Sequence, residues 1–260
     1  MKRAQAWFLP LAAGALLIGL WYLVKRLTHL ESYLLPSPGE IARAAWRERA
    51  TLADSVLITG QGAVLGFLAA TLGGFLLALI LGLAAPLRWA LYPYVLILQM
   101  TPVIILAPIF VLWLGQGTPS IVAITFMICF FPVVANTTLG FASVDANLRE
   151  LFAMSGASRG QELLHLRIPA ALPYFLTGTK IAGTLAPIGA ITGDFLAGTA
   201  ANGRSGLGFM TITYFSQLKI PELFAAGGVA CLLGFLFVGG VNLLYWGLLR
   251  RWHESARARE

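Results

Sequence analysis

The sequence predicts an all-α, polytopic membrane protein with six transmembrane helices in one domain that covers residues 1–260. Hydrophobic residues make up 58% of the chain and charged residues only 11%, whereas about a quarter of the residues in soluble domains are charged. The charged residues also leave long uncharged intervals, such as the one between Arg88 and Asp145. A helix needs about 20 apolar residues to cross the hydrocarbon core, and these intervals supply that length.

The boundaries of the spans follow from charges and turn signals. The interval between Arg88 and Asp145 holds two spans, because the glycine, proline and serine cluster at 115–120 predicts a turn inside it. Another span follows Pro173 and contains two charged residues. The predicted spans are 6–24, 57–84, 91–114, 120–141, 174–198 and 223–248.

The first span could be read as a signal peptide, because Lys2 and Arg3 precede its apolar segment. No small-residue cleavage site follows, so we expect a retained helix. With both termini in the cytoplasm, that side of the membrane receives the larger share of lysine and arginine, although Lys25 and Arg26 oppose this bias. The sequence therefore predicts a multi-pass protein with two cytoplasmic termini.

Composition also excludes several classes of protein. The formal net charge is +7, but the basic residues flank apolar runs, where they contact membrane lipid, and they are not interleaved with aromatic residues as in a nucleic-acid surface. Cys129 and Cys231 lie far apart inside apolar runs and have no metal-ligand spacing. No G-x-x-x-x-G-K-[ST] motif is present. We therefore expect no nucleic-acid partner, no metal, no bound cofactor and no catalytic residues.

The interval 144–169 is longer than a bare connection between neighbouring helices requires. It contains two helix-forming pieces, Asn147–Met154 and Arg159–Leu166. Leu151, Phe152 and Met154 give the first piece an apolar surface. We predict that Gly156 ends this piece in a left-handed turn and that Pro169 stops the second piece.

The same interval carries a family motif. Residues 150–159 read E-L-F-A-M-S-G-A-S-R, and residues 166–169 read L-R-I-P. This interval resembles the EAA loop of binding-protein-dependent ABC importer permeases, whose pattern is E-A-A, three residues, G, nine residues, then I-x-L-P. Glu150, Gly156 and Pro169 stand at the required spacing. The resemblance implies a type I ABC importer permease fold.

The resemblance also implies that this loop couples the permease to a cytoplasmic ATPase, whose groove receives the first helical piece. The residues expected to make that contact are Glu150, Leu151, Phe152, Met154, Gly156, Ala157, Arg159 and Pro169. A helix that lies on the bilayer surface is the alternative, but it would favour a basic amphipathic face, which this segment lacks.

Further segments resemble the permease subgroup for nitrate, sulfonates, taurine and pyrimidine precursors. They are L-P-S-P at 35–38, F-F-P at 130–132, A-A-L-P-Y at 170–174 and G-L-G-F at 206–209. Members of this subgroup commonly carry glutamate near the end of the fifth span, where this chain has Asp194. The resemblance implies import of a sulfonate, a nitrate-like anion or a pyrimidine or thiamine precursor, and leaves the choice among them open.

Polar and kinked positions inside the spans are candidates for the pathway or its gate. They are Thr101, Pro102, Pro108, Pro132, Pro187 and Asp194. Each proline removes a backbone donor and bends its helix, although membrane helices often tolerate proline. Asp194 either makes a structural hydrogen bond or acts at a gate near the outer end of its span. Lys180 is expected to extend its side chain to the membrane interface.

The resemblance implies an assembly in the bacterial inner membrane. It comprises a second permease copy, two cytoplasmic ABC ATPase subunits that hold ATP and magnesium, and a periplasmic or lipid-anchored solute-binding protein. The alternative is an ion-coupled secondary transporter that needs no ATPase. Such transporters often show internal repeats around a midplane site, and no convincing repeat is present here.

Overall fold

The computed structural model describes residues 2–83, 85–200 and 203–249. Within these ranges every regular element is helical, which confirms the all-α prediction. The elements are α1 Lys2–Thr28, α2 Pro38–Arg47, α3 Arg49–Leu83, α4 Ala85–Met100, α5 Val103–Leu114, α6 Thr118–Ala142, α7 Ala146–Met154, α8 Arg159–Glu162, a π-helical turn Leu163–Arg167, α9 Ile168–Ala197, α10 Leu207–Ser216 and α11 Ile220–Leu249.

Four helices of the described chain, α1, α3, α6 and α11, are long and apolar enough to cross a membrane. The pair α4–α5 makes a fifth if it forms one broken span. Helix α9 has 30 residues and lies outside this set. Each predicted span therefore matches a helix or a helix pair, while the count of six is not confirmed as such. Residue 84, the predicted end of the second span, lies outside the described residues.

Helices α3, α6 and α9 form the centre of the bundle. Small residues set their close approach, as is usual between membrane helices. A Cβ added to Gly66 on α3 would overlap the side chain of Thr125 on α6, so this close contact requires glycine. On α9, a Cβ at Gly178 would come within 2.8 Å of the carbonyl oxygen of Pro132.

 Small residues at these positions therefore allow the three helices to pack closely together.

The predicted third span, 91–114, corresponds to two helices, α4 and α5, with a break between them. The chain breaks at Thr101 and Pro102, and the axes of α4 and α5 differ by 96°. Pro102 has φ −62° and ψ 115°, an extended conformation, and it cannot donate the hydrogen bond that would continue α4. The backbone N–H of Thr101 turns back to the carbonyl of Leu98 at 3.1 Å, which closes α4 before the bend.

Helix α1 is largely exposed and is fastened to the rest of the chain near its C-terminal end. Lys25 forms an ion pair with Glu40 of α2 at 2.6 Å, and the indole N–H of Trp21 donates to the carbonyl of Pro36 at 3.1 Å. Ser37 and Glu40 form a capping box at the start of α2, which satisfies two backbone donors of that helix. The L-P-S-P segment therefore joins the first span to the bundle.

Candidate functional site

Helix α7 is a short helix that exposes apolar side chains. The carboxylate of Asp145 caps it by accepting a hydrogen bond from the backbone N–H of Asn147 at 2.8 Å. None of its residues is buried. Leu151 is 56% exposed and Met154 85% exposed, and Phe152 is half-buried. Leu148, which the sequence analysis did not select, extends the same apolar surface one turn towards the helix start.

The end of α7 has the conformation that the sequence predicted. Gly156 has φ +72°, in the left-handed region that favours glycine. Its backbone N–H donates to the carbonyl of Ala153 at 3.1 Å, and the N–H of Ala157 donates to the carbonyl of Phe152 at 3.1 Å. These two bonds form a Schellman motif. The turn thereby fixes the direction in which the chain leaves α7.

The prediction that Pro169 stops the second helical piece is wrong. Ser158 and Gln161 form a capping box that starts α8, and exposed Arg159 is its first residue. The chain then passes through the π-helical turn into α9, where Pro169 is the second residue. The N–H of Ile168 donates to the carbonyl of Leu163, a shift that leaves Pro169 in a first turn, where proline is tolerated.

An ion-pair network, which the sequence analysis missed, lies behind α7. The carboxylate of Glu162 contacts Arg149 of α7 at 3.3 Å and Arg167 of the π-helical turn at 2.8 Å. Arg167 also donates to the carbonyl of Gly82, near the end of α3, at 2.8 Å. The hydrogen bond from Arg167 holds the pKa of Glu162 below its usual range. We call Arg149, Glu162 and Arg167 the Arg–Glu–Arg bridge.

A second polar cluster lies at the end of the bundle opposite to α7. Asp194 near the end of α9 is 1% exposed. Its Oδ2 atom accepts hydrogen bonds from the backbone N–H groups of Gly208 at 2.7 Å and Phe209 at 3.3 Å, and from the hydroxyl of Thr59 on α3 at 3.3 Å. The Thr59 hydroxyl in turn accepts from the N–H of Leu207 at 2.8 Å. The carboxylate therefore caps α10 and joins three helices.

Two glycines make this capping possible. A Cβ at Gly206 would overlap the carboxylate of Asp194, and a Cβ at Gly208 would overlap the carbonyl of Ile191. The G-L-G-F segment at 206–209 is therefore explained by the close approach of α10 to α9.

A cleft of about 510 Å³ opens beside this cluster. Its lining residues are Ile58, Gln116, Gly117, Thr118, Ile121, Asp194, Thr199 and Arg204. Arg204 forms an ion pair with Asp54 at 3.3 Å. Among the residues that the structure describes, the Oδ1 atom of Asp194 has no hydrogen-bond partner.

The other candidate pathway residues are not brought together with Asp194. Thr101 and Pro102 lie at the break between α4 and α5, and Pro108 is exposed on α5. Pro132 is half-buried in α6, and Pro187 is buried in α9. Lys180 lies over the ring of Tyr245 at 5.1 Å. Within the described ranges, no group of three His, Cys, Asp or Glu side chains is arranged to hold a metal ion.

Known proteins are similar to this sequence over almost its whole length. The chain is 34% identical to a formylaminopyrimidine transport permease protein of Halalkalibacterium halodurans, over 98% of this chain and 100% of that protein. It is 34% identical to a riboflavin transport system permease protein of Chloroflexus aurantiacus, over 92% and 88% of the two chains. A taurine transport system permease protein of Escherichia coli is 27% identical, over 96% and 91%.

A solved structure supports the fold. The crystal structure of an amino acid ABC transporter with histidines superimposes with a TM-score of 0.58 at 14% identity, over 79% of this chain and 95% of that chain. The family model described as binding-protein-dependent transport system inner membrane component matches residues 62–250. The chain therefore belongs to this family of inner membrane components, the permease subunits of ABC importers.

Proposed function

We propose that two copies of this chain form the pathway of an ATP-driven importer, with one ATPase subunit docked on each 144–169 loop. The observation that carries this proposal is the exposed apolar surface of α7, formed by Leu148, Leu151 and Met154 with Phe152 beside them. An apolar surface on a polar loop outside the spans is favoured only when a partner covers it. A groove on the ATPase subunit provides that cover.

The exposed residues Glu150 and Arg159 flank this surface. They supply charged groups at the rim of the contact, where ion pairs select the partner more than they strengthen binding. Ala157 and the Gly156 turn fix the angle of α7 relative to the rest of the loop. ATP and magnesium are held by the ATPase pair, and its closure on ATP draws the two loops together.

The two ends of the subunit are joined by α3. Gly82 contacts the Arg–Glu–Arg bridge and Thr59 contacts Asp194, so the two clusters are about 35 Å apart along the helix. Movement of the loops thereby opens the pathway at the far end, where a solute-binding protein delivers the substrate. Hydrolysis of ATP resets the subunits.

The broken segment α4–α5 supports a dimeric pathway. Met100 is 83% exposed and Leu112 81% exposed, and the break at Thr101 and Pro102 lies in the same segment. A seam between two copies at this surface would place Thr101, Pro102 and Pro108 along the substrate route, with Pro132 and Pro187 shaping the helices behind them. Lipid covers the parts of this surface that the second copy leaves open.

The substrate we propose is a pyrimidine precursor. The two relatives at 34% identity are named for a formylaminopyrimidine and for riboflavin, both nitrogen heterocycles, and the taurine relative is 27% identical. Helices α5 and α6 consist entirely of uncharged residues. A neutral heteroaromatic molecule loses less hydration free energy beside such a surface than a sulfonate or nitrate-like anion does.

For orientation, we propose that the 144–169 loop and both termini face the cytoplasm of a bacterial cell. The prediction for the C-terminus depends partly on Arg250, Arg251, Arg257 and Arg259, which lie outside the described residues. The loop places the ATPase on the cytoplasmic side, and the Asp194 cluster then faces outward.

A cysteine at Ala153, an exposed position on α7, tests the docking and the orientation together. In membranes that contain the assembled importer, we expect the Ala153→Cys thiol to be shielded from a maleimide and to react once the ATPase is stripped away. Labelling by an impermeant maleimide from outside intact cells would contradict the orientation. Uptake of a labelled aminopyrimidine into proteoliposomes, compared with taurine, tests the substrate.

A further inference from the structure

Helix α7 has few connections to the rest of its own subunit. None of its residues is buried. In the part of the chain that the structure describes, the contact from Arg149 to Glu162 is the one side-chain hydrogen bond or ion pair that joins α7 to another helix. A force on α7 therefore has two routes into the bundle, the flanking backbone and this ion pair.

The Arg–Glu–Arg bridge continues from that ion pair to the end of a membrane span. Glu162 is the last residue of α8, and its Oε1 atom contacts both arginines. Arg167 is only 18% exposed, and it satisfies a carbonyl in the last turn of α3, where a cation is favoured. Gly82 itself packs against Phe141 at the end of α6. The bridge thus ends where two spans meet.

The π-helical turn that ends at Arg167 is a candidate hinge. Leu163–Arg167 is π-helical, and such turns inside longer helices are common at functional positions because the hydrogen-bond register can shift there. Glu162 and Arg167 lie at the two ends of this turn. Their ion pair at 2.8 Å links the two ends of the turn through side chains.

We propose that Glu162 is a positioning residue that makes α7 move as one body with the π-helical turn and the end of α3. Displacement of α7 by a docked ATPase then reaches the spans through the Arg–Glu–Arg bridge. This inference rests on the proposed function, because it requires an ATPase seated on α7. The Arg149–Glu162 pair is weak while solvent surrounds it, and it strengthens when the ATPase covers it and excludes water.

The test follows a signal from one end of the complex to the other and needs no substrate. In the reconstituted importer, a Gln116→Cys reporter in the cleft beside Asp194 is labelled with a maleimide before and after the ATPase is trapped with ATP and vanadate. Cys231, which is exposed, is replaced by serine, and Cys129 is buried. The change in labelling rate on trapping measures transmission.

We expect Glu162→Gln to reduce that change by about threefold or more, as for mutations within coupling networks, while the ATPase remains bound. Arg149→Gln should give a similar loss, and it leaves the Glu162–Arg167 pair intact, so it decides the outcome if Glu162→Gln folds poorly. The double variant should lose no more than Glu162→Gln alone, because both changes remove one connection.

Glu222→Gln is the matched control, because it removes an ion pair with Arg47 at the other end of the bundle. It should respond as the wild type does. A full wild-type response in both Glu162→Gln and Arg149→Gln overturns the inference and leaves the proposed function standing. If the wild-type chain retains no ATPase, the proposed function fails, and this inference fails with it.

Discussion

The carboxylate of Asp194 accepts a hydrogen bond from the backbone N–H of Gly208 at 2.7 Å. This bond fastens the start of α10 to the end of α9, and Thr59 adds α3 to the same cluster. A negative charge at the start of a helix is favourable because it meets unpaired N–H groups and the positive end of the helix dipole. This arrangement explains how a carboxylate is accommodated at a position that is 1% exposed.

Substitution of Asp194 should separate a structural role from a role at the gate. Asp194→Leu leaves the donors of Gly208, Phe209 and Thr59 unsatisfied, and we expect it to lower the free energy of unfolding by about 3 kcal/mol. Asp194→Asn keeps an acceptor oxygen and loses the charge, which should cost about 1 kcal/mol. Thermal unfolding of the purified protein in detergent measures both changes. If Asp194→Asn unfolds like the wild type and yet does not transport, the charge acts at the gate.

Replacement of Gly208 tests the close contact between α10 and α9. A Cβ there meets backbone atoms of Ile191 and Phe195, which cannot move aside as a flexible side chain can. We therefore expect Gly208→Ala to lower the free energy of unfolding by about 1–3 kcal/mol. Gly227 on α11 is the matched control, because a Cβ there meets nothing within 4 Å. Gly227→Ala should leave the unfolding temperature unchanged or raise it, since alanine favours helix.

How far the sequence predicts this cluster depends on distance along the chain. An acidic residue near a span end predicts the need for a hydrogen-bond partner, and this can be inferred from the residue and its sequence neighbours alone. The partner Thr59 is 135 residues away from Asp194, and only the packed bundle identifies it. The motif likewise singled out Glu150 and Gly156 by their spacing. It did not single out Arg149, Glu162 and Arg167, whose contacts with one another are visible only in the folded structure.

The prolines show a similar limit. Pro102 breaks its span by 96°, whereas Pro132 and Pro187 lie inside continuous helices. Each of the three prolines removes one backbone donor, so the surrounding residues decide whether the helix breaks. At Pro132, the side-chain amide of Asn136 donates to the proline carbonyl at 2.8 Å, and α9 packs closely alongside.

The left-handed turn at Gly156 can be tested by two substitutions that differ in their tolerance of positive φ. A β-branched residue is strained at φ +72°, so Gly156→Val should re-aim α7 at a cost of about 1–3 kcal/mol. Asparagine tolerates this region, so Gly156→Asn should retain coupling. The measurement is ATPase activity of the assembled importer together with uptake. Normal coupling in Gly156→Val would show that the direction of α7 does not depend on this turn.

The attachment of α1 should depend on pH through Glu40. The side-chain hydrogen bond from Lys25, followed by the backbone N–H of Ser37, lowers the pKa of Glu40 from 4.5 to about 2. A carboxyl whose pKa is lower in the folded state stabilises that state fully above the unfolded value, and this stabilisation is lost as the pH falls towards the folded value. The α1–α2 contact should therefore weaken between pH 4.5 and about 2. Trp21 donates to Pro36 beside this pair, so the part of the fluorescence that a Trp21→Phe variant loses reports the contact. Glu40→Gln should weaken the contact at neutral pH and remove this transition, and a transition that persists unchanged in that variant would assign the pH dependence to another group.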